Sequence, residues 1–142
     1  MDTQSAVAYN ATYATTYWVI LPEGPISFRL GQPNPLIDTL LVKRGYQDWA
    51  FVTAYNPHAC PHAETENQQF HRHLVNEVKR RGWEFALASD VCDQMKLPAE
   101  TALFIFGIGV EEAKALGQRF GQAGIIVGRI GQAPSFLYAE KK

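Results

Sequence analysis

Two hydrophobic periods alternate along the chain, and the switches between them mark the elements. Residues 13–21 (YATTYWVIL) are rich in aromatic and β-branched types, and residues 26–30 interleave Ile, Phe and Leu with Ser and Arg. Both are strand patterns, and Pro22-Glu23-Gly24-Pro25 between them reads as the turn of an antiparallel hairpin. Asn34-Pro35 is a helix start, because Asn accepts an orphan amide hydrogen bond and proline at the first helical position gives up no needed donor. That helix places Leu36, Ile37, Leu40 and Leu41 on one side and ends near Gly45. Residues 49–55 (WAFVTAY) carry no charge, the pattern of a strand covered on both faces. A second helix is signalled by Thr65 with Gln68, a capping-box pairing, with Phe70, Leu74 and Val78 as its apolar stripe and Gly82 as terminator. Residues 83–88 read as a strand and 90–100 as a polar connection. Residues 101–108, 110–120 and 123–130 then form a β-α-β unit, and 134–138 supply a closing edge strand.

These elements predict an α/β architecture, with α+β as the variant: one domain over residues 13–138, a mixed sheet of about six to seven strands and about three covering helices. Residues 1–12 are small and polar and 139–142 form a charged tail, so both ends are expected to fray. With 142 residues and 46% hydrophobic content the chain suits one core. Thirteen Lys plus Arg against 14 Asp plus Glu leave a net charge of −1, which argues against nucleic acid or an anionic membrane as partner. The longest apolar run, 102–110, is about half of a membrane span, and the amino terminus has no signal-peptide pattern. Two cysteines without CxxC spacing fit a reducing compartment, so a cytoplasmic location is expected.

In an open α/β sheet, ligands gather outside the carboxyl ends of strands. Thr53-Ala54-Tyr55-Asn56-Pro57 is such an end, and Asn67 shares the inward stripe of the following helix with Phe70 and Leu74. Gln122, after the helix terminator Gly121, is a third neutral amide that can face the same rim. Gly107-Ile108-Gly109 starts like a dinucleotide fingerprint, but the third glycine is missing and Glu111 and Glu112 would repel a pyrophosphate. No Walker-type loop is present.

All four histidines lie between positions 58 and 73, close to Cys60 and Glu66, so a metal site has to be weighed. His71 and His73 diverge by about 200° around a helix and cannot serve one ion, and the spacing fits no structural zinc motif. No metal and no cofactor are therefore expected. Cys60 lies in a polar loop before a proline, the setting of an inert thiol, and Glu64, Glu66, Asp90, Asp93 and Glu100 occupy no position that the pattern forces inward. The inward polar set is neutral and suits recognition better than proton transfer.

The stretch TAYNP at 53–57, Glu66-Asn67 opening a helix, and Gly117-x-x-Phe120-Gly121-Gln122-Ala123 together resemble the bacterial domain-of-unknown-function family 3293, with Tyr13, Thr16 and Tyr17 similar to its opening. The resemblance runs over nearly the whole chain. It implies a small bacterial single-domain protein, with Thr53, Asn56, Pro57, Asn67, Gly121 and Gln122 as signature positions, and it implies no activity. The leading expectation is recognition of a small polar ligand, a nucleotide fragment among the fitting classes, by Thr53, Tyr55, Asn56, Asn67, His71 and Gln122. The first alternative is a protein-interaction module in which these residues are structural. The second is an enzyme with His71 as acid–base group. A ligand or a protein partner is thus expected, and the oligomeric state stays open.

Overall fold

The structure, a computed structural model, describes residues 15–92 and 100–139. In chain order these form β1 (Thr15–Ile20), β2 (Ile26–Phe28), α1 (Pro35–Arg44), β3 (Asp48–Thr53), a 3-10 turn (Pro57–Ala59), α2 (Glu64–Arg81), β4 (Phe85–Cys92), β5 (Thr101–Phe106), α3 (Val110–Arg119), β6 (Gly124–Arg129) and β7 (Ser135–Tyr138). The strands make one seven-stranded sheet in the order β2-β1-β4-β5-β3-β6-β7.

Every neighbouring pair in that sheet is antiparallel, which corrects the expected mixture of parallel and antiparallel neighbours. The cause is the position of β3. The β5-α3-β6 unit does return its second strand in the direction of the first, but β3 lies between them and pairs antiparallel with each. The two strands that run the same way therefore never touch. The α/β class, the three helices and the single domain are as the hydrophobic periods indicate.

β3 explains the layering. Trp49 and Phe51 point into a core with Ile37, Leu40 and Leu41 of α1, while Ala50 and Val52 point into a second core with Leu74 and Val78 of α2 and Ala113 and Leu116 of α3. One helix thus covers one face and two helices the other. Phe104 of β5 is fully buried in the first core, where its ring stacks on Trp49 at 4.5 Å between centroids. β6 makes room for aromatic rings by lacking side chains: a Cβ on Gly128 would run into the Trp49 ring, and one on Gly124 into the Phe136 ring.

α1 begins as expected, with the Asn34 side chain accepting from the Ile37 amide at 3.1 Å, and ends at Gly45 with φ +81°. Leu36, read as part of its apolar side, is instead 65% exposed, because the buried stripe consists of Ile37, Leu40 and Leu41. α2 starts one residue before Thr65, and the expected Thr65–Gln68 box does not form. Glu66 accepts from the Ala63 amide at 3.2 Å instead. β4 runs on past Ala88, so Asp90 lies within a strand opposite Tyr17 of β1 rather than in a connection. Ala139, assigned to the tail, is buried, and its amide donates to the Ala123 carbonyl at 2.8 Å. Tyr13, the loose segment 1–12, Asp93 and residues 140–142 lie outside the described residues. Among the described residues no helix is long and apolar enough to cross a membrane.

Candidate functional site

The Asn56 backbone at the end of the β3 segment has φ +48° and ψ +57°, a left-handed conformation that Asn tolerates better than most residues. His58 and Ala59 follow with φ of +61° and +56°. Three such residues within four positions are strained unless the surroundings hold them. Asn67, with 3% exposure, supplies much of that hold. Its Oδ1 accepts from the Asn56 amide at 2.8 Å, and its Nδ2 donates to Asn56 Oδ1 at 2.9 Å. Asn56 Oδ1 also accepts from the His62 amide at 3.0 Å, which pins the start of α2. On the other side the His58 amide donates to the Gly121 carbonyl at 2.7 Å, and a Cβ on Gly121 would stand 2.8 Å from that of Pro57. Gln122 Nε2 donates to the Tyr55 and Phe120 carbonyls at 3.0 and 3.2 Å.

The sequence-predicted amides are therefore brought to one rim, where Asn56 and Asn67 bond each other, neighbouring backbone and the Glu100 carboxylate, and Gln122 Nε2 is spent on two backbone carbonyls. Tyr55 is buried with its hydroxyl donating to Glu64 at 2.7 Å, so its ring is part of the wall and not a free stacking surface. Thr53 donates to the Thr101 carbonyl at 2.8 Å and accepts from the Tyr55 amide at 3.1 Å. His71 stands apart. Its Nδ1 is buried without a hydrogen-bond partner among the described residues, and burial lowers its pKa. Among the described residues no carboxylate orients the ring, an arrangement that does not favour a general base. Among the described residues no three His, Cys, Asp or Glu side chains gather to hold a metal ion. At the other strand-to-helix turn, the Tyr46 ring lies against Gly107 and occupies the space in which a phosphate would approach.

The same network leads to two carboxylates. Asn56 Nδ2 donates to Glu100 Oε1 at 2.9 Å, and the Glu100 amide donates to Asp90 Oδ1 at 2.8 Å. A continuous chain of hydrogen bonds thus runs from α2 through the β3 loop to the junction of β4 and β5. Burial pushes the Asp90 carboxyl above the ordinary range, against the lowering effect of the Glu100 amide. Burial raises Glu100 as well, followed by the nearby Asp90 charge, while the Asn56 bond opposes the rise. Asp90 opens into a cavity of about 120 Å³ on the face that carries α1, walled by Tyr17, Phe51, Thr53, Ile126 and Phe136. The described lining residues come from five strands, and none of them from α1.

Asp90 and Glu100 are the residues that sequence reasoning missed. The signal was the two-residue period: Ala86, Ala88 and Asp90 share one side of β4, and Glu100, Ala102 and Phe104 share one side of the β5 segment. The pattern placed both acids inward once the strands were extended far enough.

These shifts make stability depend on pH with two limbs. Across the sheet, hydrogen bonds from Arg80 foremost, then Arg81, hold Glu77 down to about 2 from 4.5, despite its burial. A depressed carboxyl stabilises the fold above its unfolded pKa and ceases to do so as pH falls through the folded one. Asp90 and Glu100 are raised, so the folded state holds their protons more tightly than the unfolded chain. Their contribution is present in acid and is lost as pH rises through the folded values. Denaturant unfolding across the pH range should show a maximum near the ordinary carboxyl range, below which the Glu77 contribution is lost and above which those of Asp90 and Glu100 are lost. Glu77→Gln should flatten the limb below that maximum alone, and Asp90→Asn with Glu100→Gln the limb above it alone.

One family profile, described as Protein of unknown function (DUF3293), matches residues 52–125. No curated protein and no solved structure matches the chain. The matched span is more than half of the chain and contains Thr53, Asn56, Asn67, Asp90, Glu100 and Gln122, that is, both the amide brace and the acidic pair. The chain belongs to the DUF3293 family.

Proposed function

We propose that this domain recognises a small polar ligand in the cavity that Asp90 faces, and that Asn56, Asn67 and Gln122 serve recognition indirectly by holding the rim in shape. The observation that carries the reading is a carboxylate, raised by burial, opening between aromatic walls. A half-buried carboxylate that meets no cation among the described residues is costly, and a ligand that brings N–H donors offsets the cost. Tyr17, Phe51 and Phe136 supply flat apolar walls, so the fitting class is a planar, N–H-rich group such as a guanidinium or an aminopurine edge. The amides are the support and Asp90 with Thr53 the receptor.

A thermal-shift series with agmatine, guanosine, adenosine and uridine tests this. Agmatine or guanosine at a hundredfold excess over its dissociation constant should stabilise by about 2.7 kcal/mol, and uridine should do little. Stabilisation by uridine to the same extent, or a response that survives in Asp90→Asn, would contradict the proposal.

One observation favours the interaction-module reading as a second choice. Ile20 and Leu87 face each other across β1 and β4 and are 49% and 51% exposed, an apolar pair on the face that carries α2 and α3 but left uncovered by both helices.

A further inference from the structure

A second cleft, of about 230 Å³, lies between α2 and α3, and its walls carry the cations Arg81 and Arg119 as well as the acids Glu77, Glu111 and Glu112. At its base Glu77 is buried and already saturated by Arg80, whose Nε reaches Oε2 at 3.1 Å and whose Nη2 reaches Oε1 at 2.6 Å. A bidentate guanidinium is a complete partner for one carboxylate. Yet Arg81 Nε and Arg119 Nη1 converge on the same Oε1 at 3.2 and 3.1 Å. Three guanidiniums around one carboxylate leave an excess of positive charge in a small space, and their mutual repulsion is relieved by an incoming anion. Among the described residues Arg81 and Arg119 make no other hydrogen bond or ion pair, so the remaining donors of both forks are uncommitted.

Glu111 and Glu112 line the same cleft, and neither has a hydrogen bond or ion pair among the described residues. The positive end of the α3 dipole explains why acidic residues are tolerated there, and it leaves their outward oxygens free. Glu112, Leu116 and Arg119 follow one stripe of α3, with the Cα atoms of the acid and the arginine about 10 Å apart along the helix axis. Between the charged ends lie Leu116, Ala115 and Trp83, and the Arg81 guanidinium sits 5.5 Å from the Trp83 ring centre.

A cluster that only tied α2 to α3 would need Arg119 and Glu77 and nothing further. We propose that this cleft is a second binding site, specific for a small zwitterion. Its carboxylate meets Arg81 and Arg119, its ammonium meets Glu111 and Glu112, and its apolar middle lies on Trp83 and Leu116. The inference stands apart from the Asp90 cavity and does not depend on it.

The test is a titration of isotope-labelled protein, followed at the arginine Nε–H and Trp83 indole resonances. The probes are β-alanine, γ-aminobutyrate and ε-aminocaproate, with acetate and butylammonium as half-ligands at matched ionic strength. At least one zwitterion should bind at least about tenfold more tightly than either half-ligand, a difference of about 1.4 kcal/mol. Arg81→Gln and Glu112→Gln, both surface changes, should each remove that advantage while keeping the folded spectrum, and Asp90→Asn should leave it intact. Equal affinity for acetate and the zwitterions, or no perturbation of Trp83 by any probe, overturns the proposal.

Discussion

Asn67→Ala is expected to lower the unfolding free energy by about 2–3 kcal/mol, a large share of what holds a domain of this size together. Alanine at this position does not merely remove three hydrogen bonds. It leaves the Asn56 amide, fixed by its left-handed backbone, without the Oδ1 acceptor that meets it at 2.8 Å. A buried donor so orphaned keeps its full desolvation cost. It also frees the strained turn at His58 and Ala59, so the loss extends from α2 to the β3 loop. Denaturant unfolding measures the first effect. A double-mutant cycle with Asn56→Gly measures the coupling, and the two losses should fall well short of additive, because each removes the same reciprocal pair. Additive losses would mean that the two amides act independently.

Asp90→Asn is expected to act in the opposite sense on stability and to abolish recognition. The amide keeps an oxygen for the Glu100 N–H and removes the charge whose burial raises the carboxyl. At neutral pH the thermal midpoint should therefore rise. In acid, where the carboxyl is protonated in both states, the difference should vanish. Ligand affinity should fall by about thirtyfold or more, as when one partner of a buried, hydrogen-bonded charge pair is truncated. A substitution that strengthens the fold and removes binding marks a group kept for its chemistry at the expense of packing. Loss of stability at neutral pH together with unchanged ligand response would identify Asp90 as structural.

How much of this was legible depends on whether the signal was local. α1 was readable from Asn34 and Pro35 because a cap and its first turn are neighbours in sequence, and the Asn34–Ile37 bond is made within that turn. The double burial of β3 was readable for the same reason, since its uncharged run reports both faces at once. The order of the sheet was not, because the insertion of β3 between β5 and β6 depends on pairing across long separations that no periodicity records. The meeting of Asn56 and Asn67 could be anticipated from the helical spacing of Asn67, Phe70 and Leu74. What consumed their hydrogen bonds could not, because it rests on the positive φ of Asn56 and the reach of Glu100. Asp90 was concealed by a strand ended too early: a polar residue after Ala88 reads as a loop until the register with Tyr17 shows that it continues inward. The cap of α2 was misplaced because Asn56, distant in sequence, holds the His62 amide just before the helix.

The claim at the centre is that the amides, with Glu100, form a brace while Asp90 is the group that meets the ligand. A carbon-detected NMR titration of the side-chain carboxyls in the wild-type protein, with side-chain amide exchange followed in the same samples, addresses it most directly. Asp90 and Glu100 should titrate above 3.8 and 4.5 respectively, and the Asn67 side-chain amide protons should exchange far more slowly than those of a surface Asn. Ordinary carboxyl values together with fast Asn67 exchange would contradict the account, for they would place water where the brace is drawn and leave Asp90 a solvated acid.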